Sequence, residues 1–270
     1  MSMSFFRISA LALVLSILTT PVLAAKCGNG AGGFNSWLAQ FKKEAGARGI
    51  RKSTLNRAFR RITYDRRVIR LDRGQHSFKM SFAQFYRRRA GGLVGPARRK
   101  LRQNAGLLRR IEKRFGVPGP ILISIWGLET GFGRNSGRMN VIRSLATLSY
   151  DCRRSAFFTR NLYAALKIIQ RGDMSPAQMR GAWAGELGQT QFMAHSYLRY
   201  AVDFDGNGRR DLVRSRADVL ASTANYLRGH GWKRGGAWGP GTHNNNVLRQ
   251  WNKAGVYRKT IVKMASAIAR

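Results

Sequence analysis

Apolar residues recur at helical spacing along most of this chain, and strand-like alternation is scarce. That periodicity restricts the fold to the mainly α class. Phe34, Trp37, Leu38, Phe41 and Ala45 share one face of an amphipathic helix. Ser53-Thr54-Leu55 opens a second segment, with Leu55, Ala58, Phe59 and Ile62 on its apolar side. Residues 98–115 read as one long basic helix carrying Leu101, Leu108, Ile111 and Phe115, broken by Gly116-Val117-Pro118-Gly119-Pro120. Residues 121–129 form a nearly uninterrupted apolar run that Gly131 stops, and residues 161–170 and 219–228 are further helices. No repeat or low-complexity linker divides the chain, so one continuous domain is expected.

The charge is lopsided. Among 270 residues, 49 Lys and Arg face 12 Asp and Glu, a formal net charge of +37. With 44% apolar residues and six tryptophans, the chain has enough material for a core, which excludes wholesale disorder. Its partners should be polyanions: nucleic acid, anionic lipid or an acidic wall polymer. The basic residues are spread through the helices, as in Arg87-Arg88-Arg89 and Arg98-Arg99-Lys100, and not gathered in a tail.

Arg7, the apolar stretch 8–18 and the small residues ending at Val22-Leu23-Ala24-Ala25 read as a cleavable secretory signal over residues 1–25. The stretch is shorter than the roughly 20 residues of a membrane span, and no later run is longer, so no transmembrane anchor is expected. Lys26 separates the small residues from Cys27, which disfavours a lipid anchor. The mature chain, 26–270, is then expected in an oxidising compartment, where Cys27 and Cys152 are candidates for a disulfide; two unrelated buried thiols are the alternative. None of His76, His195, His230 and His243 sits in a zinc-binding pattern.

The sharpest chemistry lies at Ile125-Trp126-Gly127-Leu128-Glu129-Thr130-Gly131. A carboxyl ending an apolar helix is desolvated, and the negative helix terminus adds to the same effect, so its neutral form persists toward neutral pH. Protonating a glycosidic oxygen requires such an acid. A Glu that caps a helix or pairs with an arginine fits the same pattern. A second stretch, residues 181–193, combines glycines, amides and aromatics; glycines let a polymer approach the backbone, and amides bond sugar hydroxyls.

Four ordered motifs carry a resemblance: E-T-x-x-G after the apolar helix, then G-x-x-G-Q-T-Q-F-M, D-F-D-G-N-G-R-R-D-L, and A-N-Y-L-R-x-H-G-W. Together they resemble the membrane-bound lytic murein transglycosylase B family over residues 34–257. The resemblance implies a lysozyme-like α fold and cleavage of the MurNAc–GlcNAc bond of peptidoglycan glycan strands, leaving a 1,6-anhydro end without water. It implies Glu129 as the catalytic acid and then base. It implies substrate contacts from Gln191, Phe192, Tyr226, Asn252, Tyr257, the basic pair Arg153 and Arg154, and the aromatic Phe157. Trp251 stands where the family has Tyr, and Ala182 where some members have Ser. Glu186 replaces an Ala; it is read as the partner of a nearby Arg or as a second cleft carboxylate that would permit hydrolysis.

Asp203-Phe204-Asp205-Gly206-Asn207-Gly208-Arg209 spaces oxygen ligands like the first half of an EF-hand loop, but its twelfth position is Arg214. The related family loop closes with a later Asp, here Asp218. A structural calcium held by Asp203, Asp205, Asn207, the Arg209 carbonyl and Asp218 is one reading. A turn whose carboxylates cap helices and pair with Arg209, Arg210 and Arg214 is the other. No cofactor is expected for catalysis.

The expected protein is a periplasmic lytic transglycosylase for wall turnover or remodelling, with other envelope proteins as further candidate partners and no nucleic acid. A hydrolytic muramidase and a non-catalytic basic protein that binds the wall are the alternatives.

Overall fold

The structure, a computed structural model, describes residues 25–74 and 80–270. The expected export signal, apart from its last residue Ala25, and His76 lie outside the described residues. In chain order the helices are α1 (Phe34–Ala47), α2 (Lys52–Ala58), α3 (Arg66–Arg73), α4 (Phe82–Arg89), α5 (Val94–Gln103), α6 (Ala105–Phe115) and α7 (Gly119–Thr130). They continue as α8 (Val141–Tyr150), α9 (Ser155–Arg171), α10 (Ala194–Tyr200), α11 (Arg216–Gly229), α12 (His243–Trp251) and α13 (Gly255–Ile268).

Helix α7 organises the domain. Pro118 enters it in extended conformation, and Pro120 sits in the first turn, where a missing N–H breaks no helical bond. Gly131 ends it at φ 59°, the left-handed conformation that costs glycine nothing, and donates its N–H to the Gly127 carbonyl at 2.8 Å. Ile121, Leu122, Ile123, Ile125 and Trp126 are all buried, so the helix is apolar around its circumference and needs walls on every side. Helices α5, α6, α11 and α13 supply them. A second layer forms on the α8–α9 hairpin, against which α1, α2, α3 and α10 pack. Two short strands, β1 (Met139–Asn140) and β2 (Arg180–Gly181), pair antiparallel beside the cleft.

The long basic helix expected over residues 98–115 is two helices. Asn104 divides them: its side-chain amide and its backbone N–H both donate to the Lys100 carbonyl, at 2.7 and 3.1 Å. That local bond competes with continuation of the helix and turns the chain into α6. The short helices not read from the apolar pattern carry caps instead. Asp65 caps α3, Ser81 and Gln84 form a capping box on α4, Asn140 caps α8 and Thr242 caps α12.

Many arginines bond carbonyls and not carboxylates. Arg234 donates to the carbonyls of Glu112 and Lys113, and Arg228 to that of Arg114, closing the open end of α6. Arg98 does the same for Ala267 at the end of α13, and Arg51 for Gln170 near the end of α9.

Cys27 and Cys152 are bonded, with Cα atoms 5.0 Å apart. The bridge ties the segment before α1 to the α8–α9 turn, where the Gly28 N–H also donates to the Tyr150 carbonyl at 2.9 Å. It closes a loop of 125 residues. The chain-entropy model assigns such a loop up to about 4–5 kcal/mol, from which native strain subtracts. Urea unfolding of Cys152→Ser should therefore show a loss of a few kcal/mol; a midpoint equal to the parent's would contradict a constraining role.

Candidate active site

Glu129 occupies the last turn of α7, half-buried where the apolar helix meets a cleft of about 270 Å³. Its Oε1 accepts hydrogen bonds from the Tyr257 hydroxyl at 2.6 Å and the Trp251 indole N–H at 2.9 Å. Neither donor meets Oε2. Burial pushes the carboxyl's pKa up; the two hydrogen bonds and the charge of Arg89 pull the other way, the charge of Glu186 adds to the rise, and the net direction is upward. Arg89 is anchored nearby on the Leu128 carbonyl at 3.1 Å.

The two central motifs lock each other in place. Thr130 donates its hydroxyl to the Gln189 carbonyl at 2.5 Å and accepts the Gly133 N–H at 2.9 Å. The Gln189 side chain accepts from the Trp126 indole at 2.9 Å and donates to the Val213 carbonyl at 2.7 Å. These buried bonds fix the end of α7 against the loop that carries Gln191 and Phe192. The sequence reading did not assign roles to Thr130, Gln189 or Arg89, although the first two lie inside the quoted motifs.

The cleft is lined by Glu129, Glu186, Gln191, Phe192, Tyr226, Trp251 and Asn252, with Met193 and Ser196 from the start of α10. Phe192, Tyr226 and Trp251 meet edge to face, with centroids 5.1–5.8 Å apart. The Tyr226 hydroxyl donates to the Gln250 carbonyl at 2.6 Å, and burial pushes its pKa up to about 12. Gln191 sits at φ 54°, a left-handed conformation rare for a residue with a side chain. Its amide nitrogen donates to the carbonyls of Ser136 and Gly188, which leaves the amide oxygen for a ligand. Asn252 accepts the Ala254 N–H, which leaves its amide nitrogen as a donor.

Several expected contacts lie elsewhere. Tyr257 is 4% exposed, and its hydroxyl is given to Glu129. Arg153 and Arg154 turn to Asp72, a buried carboxylate that also receives Arg73. Burial opposes the charge of Asp72, but the hydrogen bonds from Arg153 and Arg154 prevail and hold its pKa below the usual range. Phe157 is exposed beside Phe158 and does not line the cleft. Glu186 is not ion-paired among the described residues. Its Oε2 is buried without a hydrogen-bond partner, and burial pushes its pKa up against backbone hydrogen bonds and the charge of Arg154. The Glu186 carbonyl accepts the N–H of Ala182, the residue after β2, at 3.3 Å.

In the acidic loop, carboxylate oxygens of Asp203, Asp205 and Asp218 lie within 4.8 Å of one another. The arginine-paired reading forms only in part: Arg214 pairs with Asp211 and Arg210 turns to Asp173, while no ion pair reaches Asp203, Asp205 or Asp218 among the described residues. Backbone N–H groups of residues 206–208 donate to Asp203, and Asn207 accepts the Arg209 N–H. Asp218 is buried and accepts the N–H groups of Phe204 and Asp211. An all-oxygen set with no cationic side chain on it suits a hard divalent ion.

Residues 33–242 match the family model described as the Transglycosylase SLT domain, and the chain belongs to that family. Among individual relatives, the membrane-bound lytic murein transglycosylase B of Escherichia coli (strain K12) is 39% identical over 129 residues, 47% of this chain. The match spans 36% of that protein's length. The crystal structure of SltB3 from Pseudomonas aeruginosa in complex with NAG-anhNAM-pentapeptide superposes with a TM-score of 0.83 at 31% identity, covering 87% of this chain and 79% of the other. The Escherichia coli lytic transglycosylase Slt35 in complex with calcium shares the fold, with a TM-score of 0.76 at 22% identity over 91% of this chain and 96% of the other.

Because the Glu129 pKa is raised in the folded state, its protonated form favours folding. That contribution is complete below the ordinary value of 4.5 and is lost as pH rises through the folded value. Glu129→Gln, which cannot ionise, should therefore gain melting temperature over the parent between about pH 4 and pH 8. A difference that stays flat across that range would contradict burial as the dominant influence.

Proposed function

We propose that this chain is a peptidoglycan lytic transglycosylase that cleaves the MurNAc–GlcNAc bond and leaves a 1,6-anhydro-MurNAc end. One observation carries the reading: the desolvated Glu129 carboxyl, held through one oxygen by two donors, leaves its other oxygen free at a cleft of amides and aromatic rings. The family membership and the muropeptide bound by the Pseudomonas aeruginosa relative support it.

The chemistry follows from the two faces of Glu129. Burial favours the protonated acid, and Oε2 gives its proton to the glycosidic oxygen as the C1–O bond breaks. The resulting carboxylate is stabilised by the Tyr257 and Trp251 hydrogen bonds and by the charge of Arg89. It then takes the proton of the C6 hydroxyl while O6 closes on C1. No water is consumed, and the acid is regenerated. The Gln191 carbonyl and the Asn252 amide nitrogen hold sugar polar groups, and Tyr226 and Trp251 pack on the ring faces.

A second reading has its own observation. Glu186 lines the same cleft, and its carboxylate, whose buried Oε2 has no partner, is a second candidate base for water attacking C1. That branch would yield reducing ends. Mass spectrometry of fragments from purified sacculi separates the two: anhydro ends support lytic cleavage, and reducing ends that vanish in Glu186→Gln assign hydrolysis to that residue. Glu129→Gln should lose about 10²–10⁴-fold in rate, and near-normal lysis would sink the assignment.

The working site is read as the periplasm, reached through the leader. No described helix is long and apolar enough to cross a membrane. The net charge of +37 suits adhesion to an acidic wall, with other envelope proteins as further partners. Asp203, Asp205, Asn207, the Arg209 carbonyl and Asp218 are read as a structural calcium site, relieving the mutual repulsion of three carboxylates. Calcium at millimolar concentration should raise the melting temperature more than magnesium does, because it binds the native loop and accepts irregular oxygen shells. A melting curve identical in chelator and in calcium would dismiss the site.

A further inference from the structure

A second and larger cavity, of about 680 Å³, opens between α1, α9 and α10. Helix α10 separates it from the catalytic cleft: Met193 and Ser196 line the cleft, and His195 lines this cavity. Its chemistry is graded. In the interior lies Glu44, 7% exposed, whose Oε1 is buried without a hydrogen-bond partner. The Tyr163 hydroxyl, which also lines the cavity, is buried and unpartnered as well. Around the rim stand the exposed cations Arg48, Arg160 and Lys167.

Like Glu186, Glu44 has a buried carboxylate oxygen with no partner, in contrast to the arginine-paired carboxylates of the described residues. Asp72 collects three arginines and Asp173 two. Arg48 lies one turn from Glu44, within ordinary pairing distance on a helix. Its guanidinium instead stacks over the Tyr163 ring, 5.0 Å from the centroid. A buried carboxylate oxygen left open beside such cations is costly unless a ligand completes it. The matching ligand brings an ammonium inward and carboxylates outward.

We propose that this cavity binds the zwitterionic amino-acid end of a peptide, its ammonium on Glu44 and Tyr163 and its carboxylates on Arg48, Arg160 and Lys167. The assignment of that peptide to the substrate rests on the lytic transglycosylase reading. A helix is about 10 Å across. Passing round it takes roughly 16 Å, which about five extended residues cover, so a peptide of that length attached to a sugar in the cleft reaches past α10. The cavity then selects glycan that carries such a peptide.

Calorimetric titration of the whole protein tests the binding with three matched probes. Diaminopimelate has two ammonium groups and two carboxylates, pimelate lacks the ammonium groups, and cadaverine lacks the carboxylates. Diaminopimelate should bind at least about tenfold more tightly than either of the others. Glu44→Gln and Tyr163→Phe should weaken it, and Glu129→Gln should leave it unchanged, which separates this site from the catalytic assignment. On glycan strands, Glu44→Gln should raise KM for peptide-bearing material with kcat preserved and leave peptide-free strands unaffected. Equal binding of pimelate would reduce the cavity to a basic rim, and unchanged binding by Glu44→Gln would remove the carboxylate; either overturns the proposal. So does a fall in melting temperature in Glu44→Gln with no probe bound by the parent, which would assign the carboxylate to the chain's own N-terminal segment near Ala25. Probe binding without the change in KM would leave a site for free amino acids and overturn its link to the substrate.

Discussion

A helix with no polar face must be enclosed, and the burial of α7 sets the terms for everything around it. Four helices wall it in, and the enclosure lasts until its final turn. There the chain changes from aliphatic residues to Glu129 and Thr130 within two positions. The Glu129 carboxyl therefore meets a cleft on one side and the interior of the protein on the other. Thr130, Gln189 and Trp126 spend their hydrogen-bonding capacity on keeping that boundary where it is. A looser joint would let water reach the inner face of the carboxyl and return it to an ordinary acid.

The surroundings of Glu129 balance opposed demands. An acid that gives up its proton must first hold it and then tolerate losing it. Burial serves the first requirement; the Tyr257 and Trp251 donors and Arg89 serve the second. Both donors meet the same oxygen, so stabilisation of the anion does not obstruct the oxygen that faces the cleft. Tyr257 could not play this part if it were a surface residue: away from the interior, water would compete for its hydroxyl.

The mainly α class, the apolar helix and its terminal Glu129 were legible in the sequence, because periodicity and punctuation by Pro and Gly are local properties. So was the pairing of Cys27 with Cys152 as a candidate. The division at Asn104 was not, because one side-chain bond to a carbonyl outweighs a continuous basic pattern. The motif resemblance named residues of the cleft, and Gln191, Phe192, Tyr226 and Asn252 do line it. It could not tell which of the others touch one another instead. Tyr257 turns to Glu129, and Arg153 and Arg154 to Asp72, because a buried carboxylate attracts whatever donor the fold brings near. Glu186 went the other way: in a chain rich in arginine and lysine, no ion pair reaches it among the described residues.

The arginine-to-carbonyl joints at the ends of α6, α9 and α13 have a consequence for acid tolerance. A guanidinium stays charged throughout the accessible pH range, and a peptide carbonyl does not titrate, so neither half of such a joint responds to acid. In most proteins acid unfolds the chain by neutralising paired carboxylates. Here the arginines that close these helix ends are seated on groups that acid cannot alter, which shifts sensitivity to the carboxylate hubs, Asp72 foremost. Souring the medium would then loosen the α3 corner before it disturbed the helical walls around α7.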